Sequence, residues 1–170
     1  MVVQALADLK APKRLAVIGC GNPNRSDDGV GSHVMAALAA KPLREGVEIF
    51  DAGTDGMSVL YRARGATHLI IVDARVPGDA PGAVFEPPSQ LLLAEPRHSL
   101  NLHDFRWDHA LYVGRRIYAA DFPMRLRVFL VEAQSLALGV GLSDPVARAA
   151  DIVCARILSL MQEFAEGTWA

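Results

Sequence analysis

Three side chains far apart in the chain, Asp28, Asp73 and His103, have the chemistry of a divalent-metal site. Two carboxylates and an imidazole make a reasonable set of donors for a divalent transition metal, and they leave coordination positions for water or for groups supplied by a partner. Each residue also has an ordinary explanation. A carboxylate that ends a buried apolar strand has to meet a cation, a hydrogen-bond donor or a metal, so Asp73 also reads as an acceptor for neighbouring backbone N–H groups. His33, His68, His98 and His109 compete with His103. His68 precedes the apolar heart of a strand and His33 lies inside a helical pattern, which makes both structural, whereas His98 is the serious rival. Asp27 reads equally well as a helix cap and Asp51 as a turn acceptor, so both rank second.

The elements that must position these groups begin with Leu15-Ala16-Val17-Ile18, a short apolar run that ends in Gly19-Cys20-Gly21-Asn22-Pro23. This is the pattern of a buried strand feeding a tight turn. The acidic pair Asp27-Asp28 follows, and apolar residues at helical spacing predict a helix from about Asp28 to Ala40, stopped by Pro42. Val47 to Asp51 alternates into a second strand, the turn Ala52-Gly53-Thr54-Asp55-Gly56 follows, and Met57 to Arg64 reads as a short helix. Thr67 to Ala74 is the strongest strand signal, a near-continuous apolar run of the kind buried on both faces, with Asp73 at its end.

Further on, Ala83 to Glu86 predicts an edge strand before Pro87-Pro88. Gln90 to Leu102 is irregular, with a short helix at Leu91 to Ala94. His103 opens an amphipathic helix running to about Ala119. Phe105 and Trp107 in that helix fit the core by their spacing and, less readily, a surface for a protein partner. Leu126 to Val131 is another strand, and Ser143-Asp144-Pro145 opens a last helix to about Phe164. Strands alternating with helices predict an α/β three-layer sandwich, a largely parallel central sheet with helices on both faces. In such folds functional groups gather at the carboxyl ends of strands, where Asp28, Asp51 and Asp73 fall.

Several chemistries are disfavoured by residue type. The glycine turn lacks the third Gly of a dinucleotide fingerprint, having Asn24 there, and no Lys follows it as in a phosphate-cradling loop. Asp27 and Asp28 at the helix start would repel a phosphate. No GxSxG elbow, HExxH helix or plausible Cys-His couple occurs, which argues against conventional serine, cysteine and zinc-helix proteases.

The chain has 170 residues, 51% hydrophobic and 21% charged, which suits one globular domain over residues 14–166 behind a loose arm at 1–13. A formal net charge of −2 gives no support for general nucleic-acid or anionic-membrane binding. Cys20 and Cys154 form no metal-ligand spacing, and reduced thiols in a cytoplasmic protein are expected. The arm lacks a secretory-signal pattern, and no apolar run reaches membrane-spanning length.

GCGNPNRSDDGVG, then DAGTDGM after the second strand, then LIIVDA, then a histidine opening a helix, resembles the hydrogenase maturation endopeptidases that process the large subunit of nickel-iron hydrogenases. The resemblance runs from about Arg14 to Phe164. It implies a peptidase that removes a C-terminal extension from the hydrogenase precursor once nickel has been inserted, with an acidic residue, an Asp and a His contacting the metal. On this sequence those positions are Asp28, Asp73 and His103, with Asp28 and Asp73 also the catalytic carboxylates of an aspartic-type endopeptidase. Some members carry Glu at the position of Asp28, whose shorter side chain reaches less far. RHSLNLH also departs from the family forms, which keeps His98 as a fallback ligand.

The implied metal is nickel carried by the substrate, with zinc or cadmium able to occupy the same site. The implied partner is the precursor, met by a monomer. The Gly53-Thr54-Asp55-Gly56 loop is expected to approach the substrate backbone, although a glycine at a turn ordinarily supplies only positive φ. A metal-dependent small-molecule hydrolase and a non-catalytic nickel-sensing chaperone of the precursor are the alternative readings. A nucleotide-binding protein is more distant.

Overall fold

A computed structural model describes residues 12–92, 94–96 and 105–169. Strand β1 (Leu15–Cys20) is buried along its whole length, because it lies in the interior of a five-stranded sheet with helices against both faces. The other strands are β2 (Val47–Gly53), β3 (His68–Arg75), β4 (Val84–Phe85) and β5 (Arg125–Glu132), in the order β2-β1-β3-β5-β4. The first four in that order run parallel, and β4 pairs antiparallel with β5 at one edge.

The period-two alternation of each strand sorts its residues between two cores. Leu15 and Val17 of β1, Ile70 and Val72 of β3, and Phe129 and Val131 of β5 face one core. Helices α1 (Val30–Ala39) and α5 (Asp144–Glu166) cover that face. Ala16 and Ile18, Leu69 and Ile71, and Leu126 and Val128 face the other, under α2 (Gly56–Ala63) and α4 (Trp107–Tyr118). A short helix, α3 (Ser89–Leu92), precedes the irregular connection. Burial of each large aliphatic or aromatic side chain contributes about 1.5–3 kcal/mol, and the apolar runs seen in the sequence are therefore the sheet. The three-layer α/β sandwich is the architecture that the alternation of elements predicts.

The strands come out longer than their apolar runs. β3 continues through Ala74 to Arg75, so Asp73 lies within the strand and pairs in register with Leu130. Hydrogen bonding to β5 carries the backbone past the last apolar residue, which composition does not reveal. The chain also turns more tightly after β1 than a simple helix start requires. A 3₁₀ turn at Ser26–Gly29 precedes α1, and Ser26 adopts φ 49°. Gly21 has φ 115°, and a Cβ there would stand 1.8 Å from the Asp28 carbonyl oxygen. Only glycine lets residues 21–28 fold back on themselves so closely.

Helix α4 begins at Trp107, after extended backbone at Arg106. His103, expected to open this helix, and its rival His98 lie outside the described residues. So does most of the expected N-terminal arm. No described helix is long and apolar enough to cross a membrane.

Candidate active site

The carboxyl ends of β2, β1 and β3 are adjacent in the sheet, and a cleft of about 310 Å³ opens over them. In register, Cys20 lies opposite Gly53, and Val72 opposite Gly19. Asp73 therefore stands level with the first turn and the second. Asp28, Asp73 and all four residues Gly53, Thr54, Asp55 and Gly56 line this one cleft. Asp51 and Asp27 do not.

Asp73 is 2% exposed. By strand parity it lies on the face of Leu69 and Ile71, toward the start of α4. Its Oδ2 accepts hydrogen bonds from Arg106 Nη2 and Trp107 Nε1, both at 2.8 Å. Its Oδ1 accepts from the Ala74 N–H at 2.9 Å. Burial pushes its carboxyl above the usual carboxylate range, although the Arg106 charge and these hydrogen bonds pull the other way. Burial also works against the charge on Arg106, but Asp73, then Asp108 and Asp28, outweigh it and raise the guanidinium pKa. One cation thus stands in the field of both Asp28 and Asp73.

Asp28 is half-buried, and the Asn22 N–H donates to its Oδ2 at 2.8 Å. This bond across the turn aims the carboxylate into the cleft. Its neighbour Asp27 has a different duty. Asp27 is fully buried and makes no helix cap. It accepts the Gln134, Ser135 and Ser143 N–H groups at 2.8, 3.0 and 2.7 Å, together with the Ser143 hydroxyl at 2.9 Å. Burial alone would raise its pKa, and these four donors instead lower it below the ordinary value. Asp27 therefore clamps the turn after β1 to the loop after β5. The clamp is extended by the Ser26 N–H to Gly139 and by Arg25 Nε to the Leu136 carbonyl.

The glycine-rich loop is less uniform than its sequence. Gly53 has φ 53° with open space where a Cβ would project. Asp55 caps α2, accepting the Met57 N–H at 2.9 Å. Gly56 donates its N–H to the Phe105 carbonyl at 3.2 Å, and a Cβ there would stand 2.2 Å from that oxygen. Its role is to let the segment before α4 approach. Asp51 is exposed and accepts the Gly53 N–H, which is the turn-acceptor reading.

Cys20 also lines the cleft, but its thiol is pushed far up by burial and then by the charge of Asp73. A thiol so held is no thiolate nucleophile. His68 is 3% exposed and packed edge-on against Phe164 and Trp169, each ring at 5.0 Å, as a structural histidine. His33 is exposed. His109 stacks on Phe105, and its Nδ1 accepts the Arg106 N–H at 3.4 Å.

Among the described residues, no three His, Cys, Asp or Glu side chains converge to hold a metal. Of the three expected ligands, the described residues hold Asp28 and Asp73 in this cleft, fewer than a complete protein shell. Sequence reasoning missed Arg106 as the partner of Asp73, along with Arg25 and Leu136 on the cleft wall. An Arg-Trp pair at the start of an amphipathic helix was the available signal. Phe105 and Trp107 are partly buried against the core under α4, as their spacing predicts, and both also line the cleft.

The molecule is an α/β sandwich with a carboxylate cleft at its strand ends, and comparison with known proteins shows the class to which it belongs. The hydrogenase maturation protease family matches residues 32–160. The hydrogenase 2 maturation protease of Escherichia coli K12 is 29% identical over 157 residues, covering 88% of this chain and 92% of that protein. The solved structure of the E. coli hydrogenase maturating endopeptidase HybD superposes with a TM-score of 0.71 at 27% identity, covering 88% of this chain and 93% of that one. A NiFe hydrogenase maturation protease, HycI, from Thermococcus kodakarensis shares the fold, with a TM-score of 0.69 at 17% identity over 95% of this chain and 99% of that one. The chain belongs to the hydrogenase maturation protease family and is a peptidase.

Proposed function

We propose that this peptidase removes a C-terminal extension from the precursor of a nickel-iron hydrogenase large subunit after nickel insertion, with the substrate-bound nickel as the recognition element. The observation that carries the reading is the meeting of Asp28 and Asp73, 45 residues apart in sequence, in one cleft beside Gly53–Gly56. A hydrogenase precursor as partner is supported by membership of the family and by the similarity to hydrogenase maturation proteases.

In this reading the nickel arrives as part of the substrate. The carboxylates of Asp28 and Asp73, with His103 as the third donor, engage it, and zinc or cadmium can stand in for it. Asp28, turned outward by the Asn22 N–H, meets the incoming cation first. Asp73 is buried, so its charge is poorly screened and acts strongly over a short distance. A cation held between them orients the scissile peptide and polarises its carbonyl. The Gly53 end of the loop, where no side chain projects, leaves room for a substrate backbone. The protein acts as a monomer in the cytoplasm, where Cys20 and Cys154, both free, stay reduced.

The test is to mix the protein with nickel-loaded and metal-free precursor and to measure precursor mass before and after. Loss of a C-terminal fragment from the loaded form alone is expected. An unchanged mass with co-elution of the two proteins would indicate a chaperone, and an unchanged mass without co-elution would indicate an enzyme of small molecules.

A further inference from the structure

The cation on Asp73 is attached in an unusual way. The Arg106 side chain is 61% exposed while its partner carboxylate is 2% exposed. The contact uses one guanidinium nitrogen on one oxygen, and the Trp107 indole shares that oxygen. A permanent Arg-carboxylate pair is commonly forked, with two parallel N–H···O bonds. The root of the side chain is nevertheless fixed. The Arg106 N–H is held by His109 Nδ1, its carbonyl accepts the Ala110 N–H at 3.0 Å, and the Phe105 carbonyl is held by Gly56. Arg106 is thus a tethered arm whose charged tip can leave Asp73 without disturbing the packing around its base.

A buried carboxylate stripped of its cation is costly, so whatever displaces the guanidinium has to bring positive charge. A neutral peptide segment cannot. We propose that Arg106 is the specificity-determining residue of the cleft, a resident counter-cation that yields Asp73 only to a substrate carrying a cation of its own. This rests on the reading that Asp73 engages a substrate-borne metal, and it adds a reason why metal-free precursor is refused.

The experiment titrates Ni²⁺ alone into the full-length, tag-free protein and into R106Q, R106K and R106Q/D73N, by calorimetry. R106Q should bind Ni²⁺ roughly tenfold tighter than the unaltered protein, the size of an ordinary coupling between competing ligands. R106K should stay close to the unaltered protein, and D73N should abolish the gain. Where R106Q melts early, R106M, which keeps an apolar stem, takes its place. In processing assays R106Q should discriminate less between nickel-loaded and metal-free precursor. Equal or weaker Ni²⁺ binding by R106Q overturns the proposal. So does loss of cutting of the loaded precursor by a folded R106Q, which would make the guanidinium part of the reaction itself. Failure of the unaltered protein to cut loaded precursor counts against the proposed function alone, because the titration reads Arg106 without the precursor.

Discussion

Asp27 and Asp73 are both withdrawn from solvent and both fully hydrogen-bonded, yet they serve opposite ends. Asp27 is held by the Ser143 hydroxyl and by three backbone N–H groups, which cannot leave without unfolding the loop that carries them. Asp73 is held by one backbone N–H from its own successor and by two side chains, one of them an exposed arm. Their pKa directions follow. The fixed donors lower Asp27 despite its burial, while burial prevails at Asp73 in spite of Arg106. A carboxylate satisfied by backbone is committed to structure. One satisfied by a movable side chain can be offered to another cation.

The sharpest way to break this contrast is to neutralise each carboxylate in turn. Asp73→Asn should slow precursor processing on the order of a hundredfold or more, the size expected when a charge acting on the reacting centre is removed. Its melting temperature should equal or exceed that of the unaltered protein, since a costly buried charge is gone. Mass spectrometry over time and a thermal melt check both halves. Full processing by this variant would move Asp73 into the structural class of Asp27.

Asp27→Asn should behave the other way, losing about 3 kcal/mol of stability because an amide NH₂ faces donors that had shared a charge. Urea denaturation measures it, and an unchanged midpoint would dissolve the clamp.

The far end of β3 supplies a control that should respond to pH without touching the cleft. Burial, then the charges of Arg125 and Lys13, lower His68 from 6.5 to about 4. The native state therefore binds fewer protons than the unfolded chain between those values. The stability that neutral His68 contributes is complete above 6.5 and is lost as pH falls toward 4. Between pH 7.5 and 4.5 the loss should be about 2 kcal/mol, and His68→Gln should flatten that slope in urea titrations. An identical slope in the variant would assign the acid sensitivity elsewhere.

The smallest effect is expected of Ser143→Ala. It removes one of the four bonds to Asp27 and should cost about 1 kcal/mol with processing intact. A loss as large as that of Asp27→Asn would mean that the hydroxyl, rather than the backbone, carries the clamp.

The layered architecture was legible along the chain because its causes are local. Apolar runs at 15–18 and 67–74 can only be buried strands, Pro42 ends a helix wherever it stands, and Ser143-Asp144-Pro145 opens one. The expectation that Asp28, Asp73 and residues 53–56 share a cleft was also within reach, since parallel strands deliver their carboxyl ends to one side of a sheet. The duties of Asp27 and Asp28 were not legible. They are adjacent and identical in type, and a 3₁₀ turn with Ser26 at positive φ sends one into a loop more than 100 residues away and the other into the cleft. Nor could spacing reveal that Arg106, 33 residues on, is the cation of Asp73. Residue type and periodicity determine which segments must be buried. Which donor answers a particular buried charge depends on contacts between distant segments, and only the folded chain makes them.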